Sequence, residues 1–416
     1  MNAETVSTRT RPAPLTTLLR GIGPWAGLAM TLLLTAHLAF RPWDWANEWR
    51  LVAWQYAFAL VMVGPMAAGF SAWEATQVRK RGVAVLAAGR STPALSFVVW
   101  SIACWTIIPF AIGALFIFTY TFVAGAPGGP ALGDLAPLIL GVLSIVFFCS
   151  LGTVAGWRFP HMLTSPLLAS ILFGCTVVLY GTDLSFIVDL GGSSASLLGL
   201  IPNKNRQILQ AAFFIVGAAA ALYGAGGDPY RSRLGAILAK VLIAATLALI
   251  IFGAAKSPER LVPTMTDEMV CMSSARDVRV CLGPGYSDRL PGIVSALDAP
   301  LSKLEDAGID APKEFDQRSG ILGASHVDVN LLTQGSTVPA QSVAAFFVPE
   351  DCDLFATPGP LDNLGALSWW LSPEDSDRGQ LWPEETLPHQ LRNGDVSSQH
   401  EEIQRIVQDL STCSGG

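Results

Sequence analysis

The sequence predicts an α-helical polytopic membrane protein of about seven transmembrane helices, followed by a small disulfide-bonded α+β extracytoplasmic domain. Three observations lead to this fold class. Long uncharged apolar runs alternate with short charged loops as far as residue 255, a polar and acidic stretch follows, and that stretch holds four of the seven cysteines. The predicted organisation is a cytoplasmic N-terminal tail (1–21), a transmembrane domain (22–256) and an extracytoplasmic C-terminal domain (257–416).

Seven apolar runs are each near or above the roughly 20 residues that cross a bilayer as a helix. Lipid offers no hydrogen-bond partner for the backbone, so each run is expected to be helical. The extra length of the run 95–123 implies a tilt, a helical extension or a kink at Pro109. The runs are 22–41, 51–72, 95–123, 135–156, 162–181, 208–226 and 234–255.

The sidedness of the membrane domain follows from its basic residues. If the N-terminus is cytoplasmic, eleven Lys and Arg fall on the inner side and five on the outer side, as the positive-inside rule requires. Seven crossings then leave residue 257 onward outside. Residues 1–256 hold 16 basic and 8 acidic residues, whereas 257–416 hold 10 and 25, so neither nucleic acid nor anionic lipid is an expected partner of this domain.

The cysteines of the C-terminal domain agree with an oxidising compartment. Their even number predicts two disulfides, although the sequence alone permits three pairings. We favour Cys271 with Cys281, because the stretch between them is typical of two short strands around a polar turn, and Cys352 with Cys413 then follows by elimination. A zinc site is disfavoured, since none of the four shows the C-x-x-C spacing.

Two amphipathic helices and some short strands are expected in this domain. Apolar residues recur at helical intervals over 288–306 and 397–411, and short β-like pieces occur at 278–282 and 326–332. About 160 residues are enough to bury a core. We therefore expect a compact domain, with its role as gate, docking surface or sensor left open.

The inner loop after the second run carries a basic cluster on a helix-forming stretch. Residues 73–90 combine Arg79, Lys80 and Arg81 with a small apolar stripe and a glycine before Arg90, which predicts an amphipathic helix along the inner face. The alternative is that these basic residues only hold the loop inside.

With Glu74, Gly82 and Ala87-Ala88-Gly89 in that basic helix, the chain resembles the permease subunits of exporter-type (type-two) ABC transporters, especially actinobacterial ones, over residues 20–230. The resemblance implies a coupling helix that docks on a cytoplasmic ABC ATPase subunit. It also leaves open a second permease subunit, identical or different, as a partner beside membrane lipid. The coupling residues that it implies are Glu74, Arg79, Lys80, Arg81 and Arg90.

Two other stretches bear on this resemblance. Residues 280–286, Val-Cys-Leu-Gly-Pro-Gly-Tyr, are similar to a Cys-plus-Pro motif after the last span of some actinobacterial permease-like proteins. Residues 182–206 hold two apolar pieces that are too short to span. They predict either a hairpin dipping into the outer leaflet, as in type-two permeases, or a plain outer loop.

Catalytic motifs are absent from the sequence. It has no Gly-x-x-x-x-Gly-Lys-Ser/Thr run to cradle ATP phosphates, no Gly-x-Ser-x-Gly elbow and no His-Glu-x-x-His. We therefore expect no catalytic, cofactor-binding or metal-binding residues here. The leading hypothesis is a permease subunit of an ABC exporter in the plasma membrane, powered by a separate ATPase. The alternative is a non-transporting membrane anchor or sensor that acts through its outer domain.

Overall fold

The structure is a computed structural model, and it is mostly helical. It describes residues 21–40, 46–80, 91–180, 182, 185, 190–192, 196–225, 233–256, 261–264, 267–318, 325–326, 338–349, 352, 358–372, 391 and 395–413. Within these ranges, four helical segments are long and apolar enough to cross a membrane: Trp49–Lys80, Leu95–Val123, Leu132–Arg158 and Lys204–Tyr223. They correspond to four of the seven predicted runs.

The other three predicted runs are also helical, but within the described residues none of them gives a segment that is both long and apolar enough to be counted with these four. The first and fifth form helices of 17 residues each, at the lower limit of about 17 for a crossing. The seventh contains a described apolar segment, Ile243–Gly253. Seven crossings therefore remain a prediction. The helices of this part of the chain, which we call the bundle, are α1 (Gly23–Ala39), α2 (Trp49–Ala57), α3 (Leu60–Lys80), α4 (Ser91–Val123), α5 (Ala136–Arg158), α6 (Thr164–Tyr180), α7 (Lys204–Ala225) and α8 (Arg233–Ala255).

The second predicted run is divided where the sequence gives no Gly or Pro. A turn at Phe58 and Ala59 separates α2 from α3, whereas Pro65 lies inside the continuous helix α3. The sequence predicts a helix along the inner face over 73–90, but residues 73–80 belong to α3, which is continuous to Lys80. The remainder of that prediction, residues 81–90, lies outside the described residues.

Helices α3 and α5 are in backbone contact along one side. A Cβ at Gly152 would overlap the carbonyl of Ala68, and one at Gly156 would overlap the carbonyl of Ala72. The Thr76 hydroxyl reaches the carbonyl of Gly156 at 3.3 Å. Small residues allow such approach, and dispersion contacts then hold the helices together in the absence of a hydrophobic driving force between them.

The loops group at two opposite ends of the helix bundle. At one end the backbone N–H of Ile22 donates to Glu74 Oε2 at 3.3 Å, and Arg79 lies near Arg158 and Trp157. At the other end lie the segments before α2, before α5 and before α7, together with the start of the C-terminal domain. Between the two ends many large apolar side chains are exposed, including Leu28, Leu32, Ile112, Leu115, Phe116, Leu167, Ile171 and Val178. Lipid would cover this belt.

The C-terminal domain has a four-stranded sheet in the order β3-β4-β5-β6, formed by Val270–Ser273, Arg279–Leu282, Glu314–Asp316 and Ser325–His326. The first pair is antiparallel and the others are parallel. Helices α9 (Leu290–Asp306), α10 (Val338–Ala345), α11 (Pro358–Leu371) and α12 (Val396–Ser411) complete a core with the sheet. The expected α+β domain is present.

Several predictions for this domain are confirmed. The five apolar positions of α9, Leu290, Ile293, Leu297, Leu301 and Leu304, are buried, as are Ile403, Ile406 and Leu410 of α12. Cys271 and Cys281 face each other across β3 and β4 and form a disulfide, and Cys352 pairs with Cys413. The predicted strand over 326–332 is described only at Ser325–His326.

A separate two-stranded sheet joins the membrane domain to the C-terminal domain. Strand β1 (Leu200–Pro202) immediately precedes α7, and it pairs antiparallel with β2 (Leu261–Pro263), which follows α8. The second apolar piece of the 182–206 loop is therefore partly a strand. Most of the first piece lies outside the described residues, so the dipping hairpin remains a prediction.

Candidate functional site

A buried polar cluster lies where the C-terminal domain meets the bundle. It draws residues from the start of α2, the turn before α5, the segment before β1, and the C-terminal domain after β2, β4 and β5. These segments are far apart in the sequence, and the cluster holds them at one end of the bundle. We refer to it as the junction cluster: Glu48, Arg50, Asp134, Ser196, Asp267, Tyr286 and Gln317.

Glu48 is the centre of the junction cluster. It immediately precedes α2, is 7% exposed, and accepts hydrogen bonds through both carboxyl oxygens. The hydroxyl groups of Ser196 and Tyr286 donate to Oε1 at 2.5 and 2.9 Å, and the backbone N–H of Leu197 donates to Oε2 at 3.0 Å. Gln317 Nε2 lies 3.3 Å from Oε1, so two separate segments of the C-terminal domain reach this carboxyl group.

Burial raises the pKa of the Glu48 carboxyl group above its ordinary value near 4.5. The hydrogen bonds from Ser196, Leu197 and Tyr286 and the charge of Arg50 favour the ionised form, but the loss of hydration outweighs them. The neutral form of the Glu48 carboxyl group is therefore more favoured at this site than it would be in water.

Arg50 connects the same segments through its guanidinium group. Its Nε donates to Asp134 Oδ1 at 3.3 Å, and Nη1 lies 3.4 Å from Asp267 Oδ2. Nη1 also lies 3.2 Å from the Leu197 carbonyl oxygen and 2.6 Å from that of Leu200. One arginine thus holds the turn before α5, the strand β1 region and the segment after β2.

The segment 280–286, singled out in the sequence, lies at this junction. Tyr286 is fully buried, and the N–H of Gly283 donates to Gln317 Oε1 at 2.8 Å. At Gly285 an added Cβ would lie 2.6 Å from the backbone oxygen of Asn47, so only glycine permits this approach. The Gly-Pro-Gly-Tyr part of the motif therefore forms the contact between the C-terminal domain and the membrane domain.

A cavity of about 310 Å³ opens beside the junction cluster. Its wall combines acidic side chains, one guanidinium group, two aromatic rings and the Gly-Pro-Gly backbone. The volume is at the lower end of the range of small-molecule sites, about 300–1,000 Å³. The lining of the cavity includes Glu48, Trp49, Arg50, Asp134, Glu268 and Tyr286.

The residues implied as ATPase-coupling lie at the opposite end of the bundle. Arg79 and Lys80 are exposed in the last turn of α3, and Arg79 also lies over the Trp157 ring at 6.0 Å. Glu74 is half-buried and accepts the N–H of Ile22, where a negative charge stabilises the first turn of α1. Arg81 and Arg90 lie outside the described residues.

Neither a metal-binding group among the described residues nor a similar protein indicates the chemistry of the chain. Among the described residues, no group of three or more His, Cys, Asp or Glu side chains could hold a metal ion. No protein-family model, no curated protein and no solved structure matches this chain.

Sequence reasoning did not find the junction cluster. Its members are separated by as many as 269 positions, and no spacing rule connects them. The available signals were an acidic residue directly before an apolar run, Glu48, and the Gly-Pro-Gly-Tyr segment, whose partner in the chain the sequence does not specify.

Proposed function

We propose that the chain is a membrane-spanning permease subunit of an ATP-driven ABC exporter in the plasma membrane, with a separate cytoplasmic subunit supplying ATP hydrolysis. In this proposal the chain crosses the membrane seven times, its N-terminus is cytoplasmic, and the C-terminal domain is extracytoplasmic. A second permease subunit, identical or different, would complete the transporter.

The observation that carries the proposal is the exposed basic end of α3. Arg79 and Lys80 are exposed there, on the helix whose backbone contacts α5 at Gly152 and Gly156. A force applied at this end would reach α5 through the backbone contacts at Gly152 and Gly156, and α1 through Glu74. A docking subunit at this end could therefore move three helices together.

Charge reversal at this end tests the proposal. The triple variant Arg79→Glu, Lys80→Glu, Arg81→Glu should lose co-purification of an ATP-binding subunit from mild detergent, because like charges would oppose the acidic surface expected of that partner. The matched control is Lys204→Glu with Lys256→Glu, which reverses exposed charges at the other end of the bundle. The control should retain the ATP-binding subunit. Equal recovery with the triple variant, or no such subunit with the unaltered chain, would reject the permease assignment.

The second candidate is a membrane-anchored sensor, and the cavity beside the junction cluster favours it. That cavity lies between the two domains, so a ligand there could change how they dock. Removal of residues 257–416 separates the candidates. A permease should keep its association with the ATP-binding subunit, whereas a sensor has no such subunit to keep and loses its response.

A further inference from the structure

We propose that the carboxyl group of Glu48 is a proton-binding site that latches the C-terminal domain onto the membrane helices. Binding of a proton strengthens the docking, and its release loosens it. The latch goes beyond the permease proposal and needs no ATPase.

The geometry places Glu48 at a buried contact between the two domains. Its oxygens accept donors from the segment before β1, through Ser196 and Leu197, and from the C-terminal domain, through Tyr286 and Gln317. Gln317 Nε2 also lies 3.1 Å from Ser196 Oγ, which closes the network. Undocking would break the contacts that Tyr286 and Gln317 make with this network and expose the carboxyl group to water.

Several other charged and titratable groups lie at the junction. Asp316 and its ion-pair partner Arg318 flank Gln317, and the Arg289 guanidinium group lies 5.8 Å from the Tyr286 ring. Arg50 follows Glu48 on the same helix, Tyr286 comes from the C-terminal domain, and Asp134 lies before α5. Asp267 and Glu268 follow β2. Arg50 is hydrogen-bonded or ion-paired to Asp134 and Asp267, so its charge is shared among carboxylates and does not belong to Glu48 alone.

The protonation states of the docked and undocked forms determine the direction of the effect. Burial in the docked form raises the pKa of Glu48, whereas the solvated group of the undocked form has a pKa near 4.5. The docked form therefore binds the proton more tightly than the undocked form. By linkage, docking is strongest below the undocked pKa and weakens as the pH rises, until it passes the raised pKa.

The cavity beside the cluster gives the proton a path to this site. Glu48 forms part of its wall together with Trp49 and the exposed Glu268. Water in the cavity can exchange a proton with Glu48 while the domains remain docked. Titration of the latch therefore does not require unfolding.

Hydrogen exchange of backbone amides at the junction measures docking in the full chain, reconstituted in lipid nanodiscs. The N–H of Gly199 is hydrogen-bonded across the junction to Asp267 of the C-terminal domain, and the N–H groups of Leu197 and Gly283 are bonded within the same network, to Glu48 and Gln317. In the unaltered chain their protection should fall by up to about tenfold for each pH unit between the undocked and docked pKa values. Each measurement is compared with the Glu48→Gln variant at the same pH, so that the intrinsic chemistry of exchange cancels.

Glu48→Gln should keep the junction amides protected at every pH from 5 to 9, because an amide resembles the neutral acid in shape and hydrogen bonding. Glu305→Gln is the matched control, since Glu305 pairs with Arg276 on the surface of the C-terminal domain, and it should titrate like the unaltered chain. The latch is rejected if the unaltered chain and Glu48→Gln show the same dependence on pH, or if Glu48→Gln is unprotected throughout.

A second variant keeps the test independent of how well glutamine fits. Tyr286 favours the ionised form of Glu48 by donating a hydrogen bond, so Tyr286→Phe should raise the pKa of Glu48 further. The loss of protection should then move to higher pH. An unmoved midpoint, or one at lower pH, would also overturn the proposal.

Discussion

The guanidinium group of Arg50 lies 3.4 Å from the carboxylate of Asp267, although 217 positions separate the two residues in the chain. Because Arg50 also binds Asp134 and two backbone carbonyls, it ties three segments at this end of the bundle to the first residues of the C-terminal domain. Arg50 therefore attaches the C-terminal domain to this end of the bundle.

Loss of Arg50 should release that contact. Arg50→Ala would leave Asp134 and Asp267 as poorly solvated carboxylates without their counter-charge, at a cost of about 2–4 kcal/mol. We expect increased exchange of the Gly199 amide and a lower melting temperature. Arg276→Ala, which breaks the exposed pair with Glu305, should change stability by less than about 1 kcal/mol. Equal effects of the two variants would mean that Arg50 does not hold the domains together.

Gly285 tests the close approach of the two domains. In Gly285→Ala the new methyl group meets the Asn47 backbone oxygen, which cannot move as a side chain can, so we expect a loss of about 1–3 kcal/mol. Gly292→Ala is the control, because its Cβ would meet open space and alanine favours the helix α9. In melts followed by circular dichroism, Gly285→Ala should lower the melting temperature and Gly292→Ala should raise it. A Gly285→Ala protein as stable as the unaltered chain would contradict the docked arrangement.

The sequence predicted local structure well and the junction poorly, and the reason is physical. The helical spacing of Leu290, Ile293 and Leu297 is a local property, and so is the hairpin that brings Cys271 to Cys281. The contact between Glu48 and Tyr286 depends on how seven or eight segments pack, which no local pattern records. The turn at Phe58 also lacks a Gly or Pro signal. The charge pattern predicted a separate inner helix from residue 73, whereas α3 is continuous as far as Lys80.

Packing between α3 and α5 should be sensitive to a single methyl group. Gly156→Ala would overlap the Ala72 carbonyl and force the two helices apart, so we expect a clear loss of thermal stability in detergent. Gly174→Ala on α6 is the control, since nothing lies within 4 Å of its added Cβ. If both variants melt like the unaltered chain, the contact between α3 and α5 is not the one described.

The two disulfides should differ in their effect on stability. The Cys352–Cys413 pair closes a longer loop, with a separation of 61 positions against 10 for Cys271–Cys281. By loop entropy, replacing Cys352 and Cys413 with serine should lower the free energy of unfolding by about 4 kcal/mol, and replacing Cys271 and Cys281 should lower it by about 3 kcal/mol. Urea unfolding followed by tryptophan fluorescence gives the comparison. A larger loss from the Cys271–Cys281 pair would contradict the entropic explanation.

Labelling of intact cells tests most directly the claim that the C-terminal domain and the basic end of α3 lie on opposite sides of a membrane. In a background where the free cysteines Cys104, Cys149 and Cys175 are replaced, a membrane-impermeant maleimide is applied to Val396→Cys on α12, where the native side chain is 65% exposed, and to Lys80→Cys on α3. We predict that Val396→Cys reacts in intact cells and that Lys80→Cys reacts only after permeabilisation. Reaction of both on the same side, or the reverse order, would contradict the account.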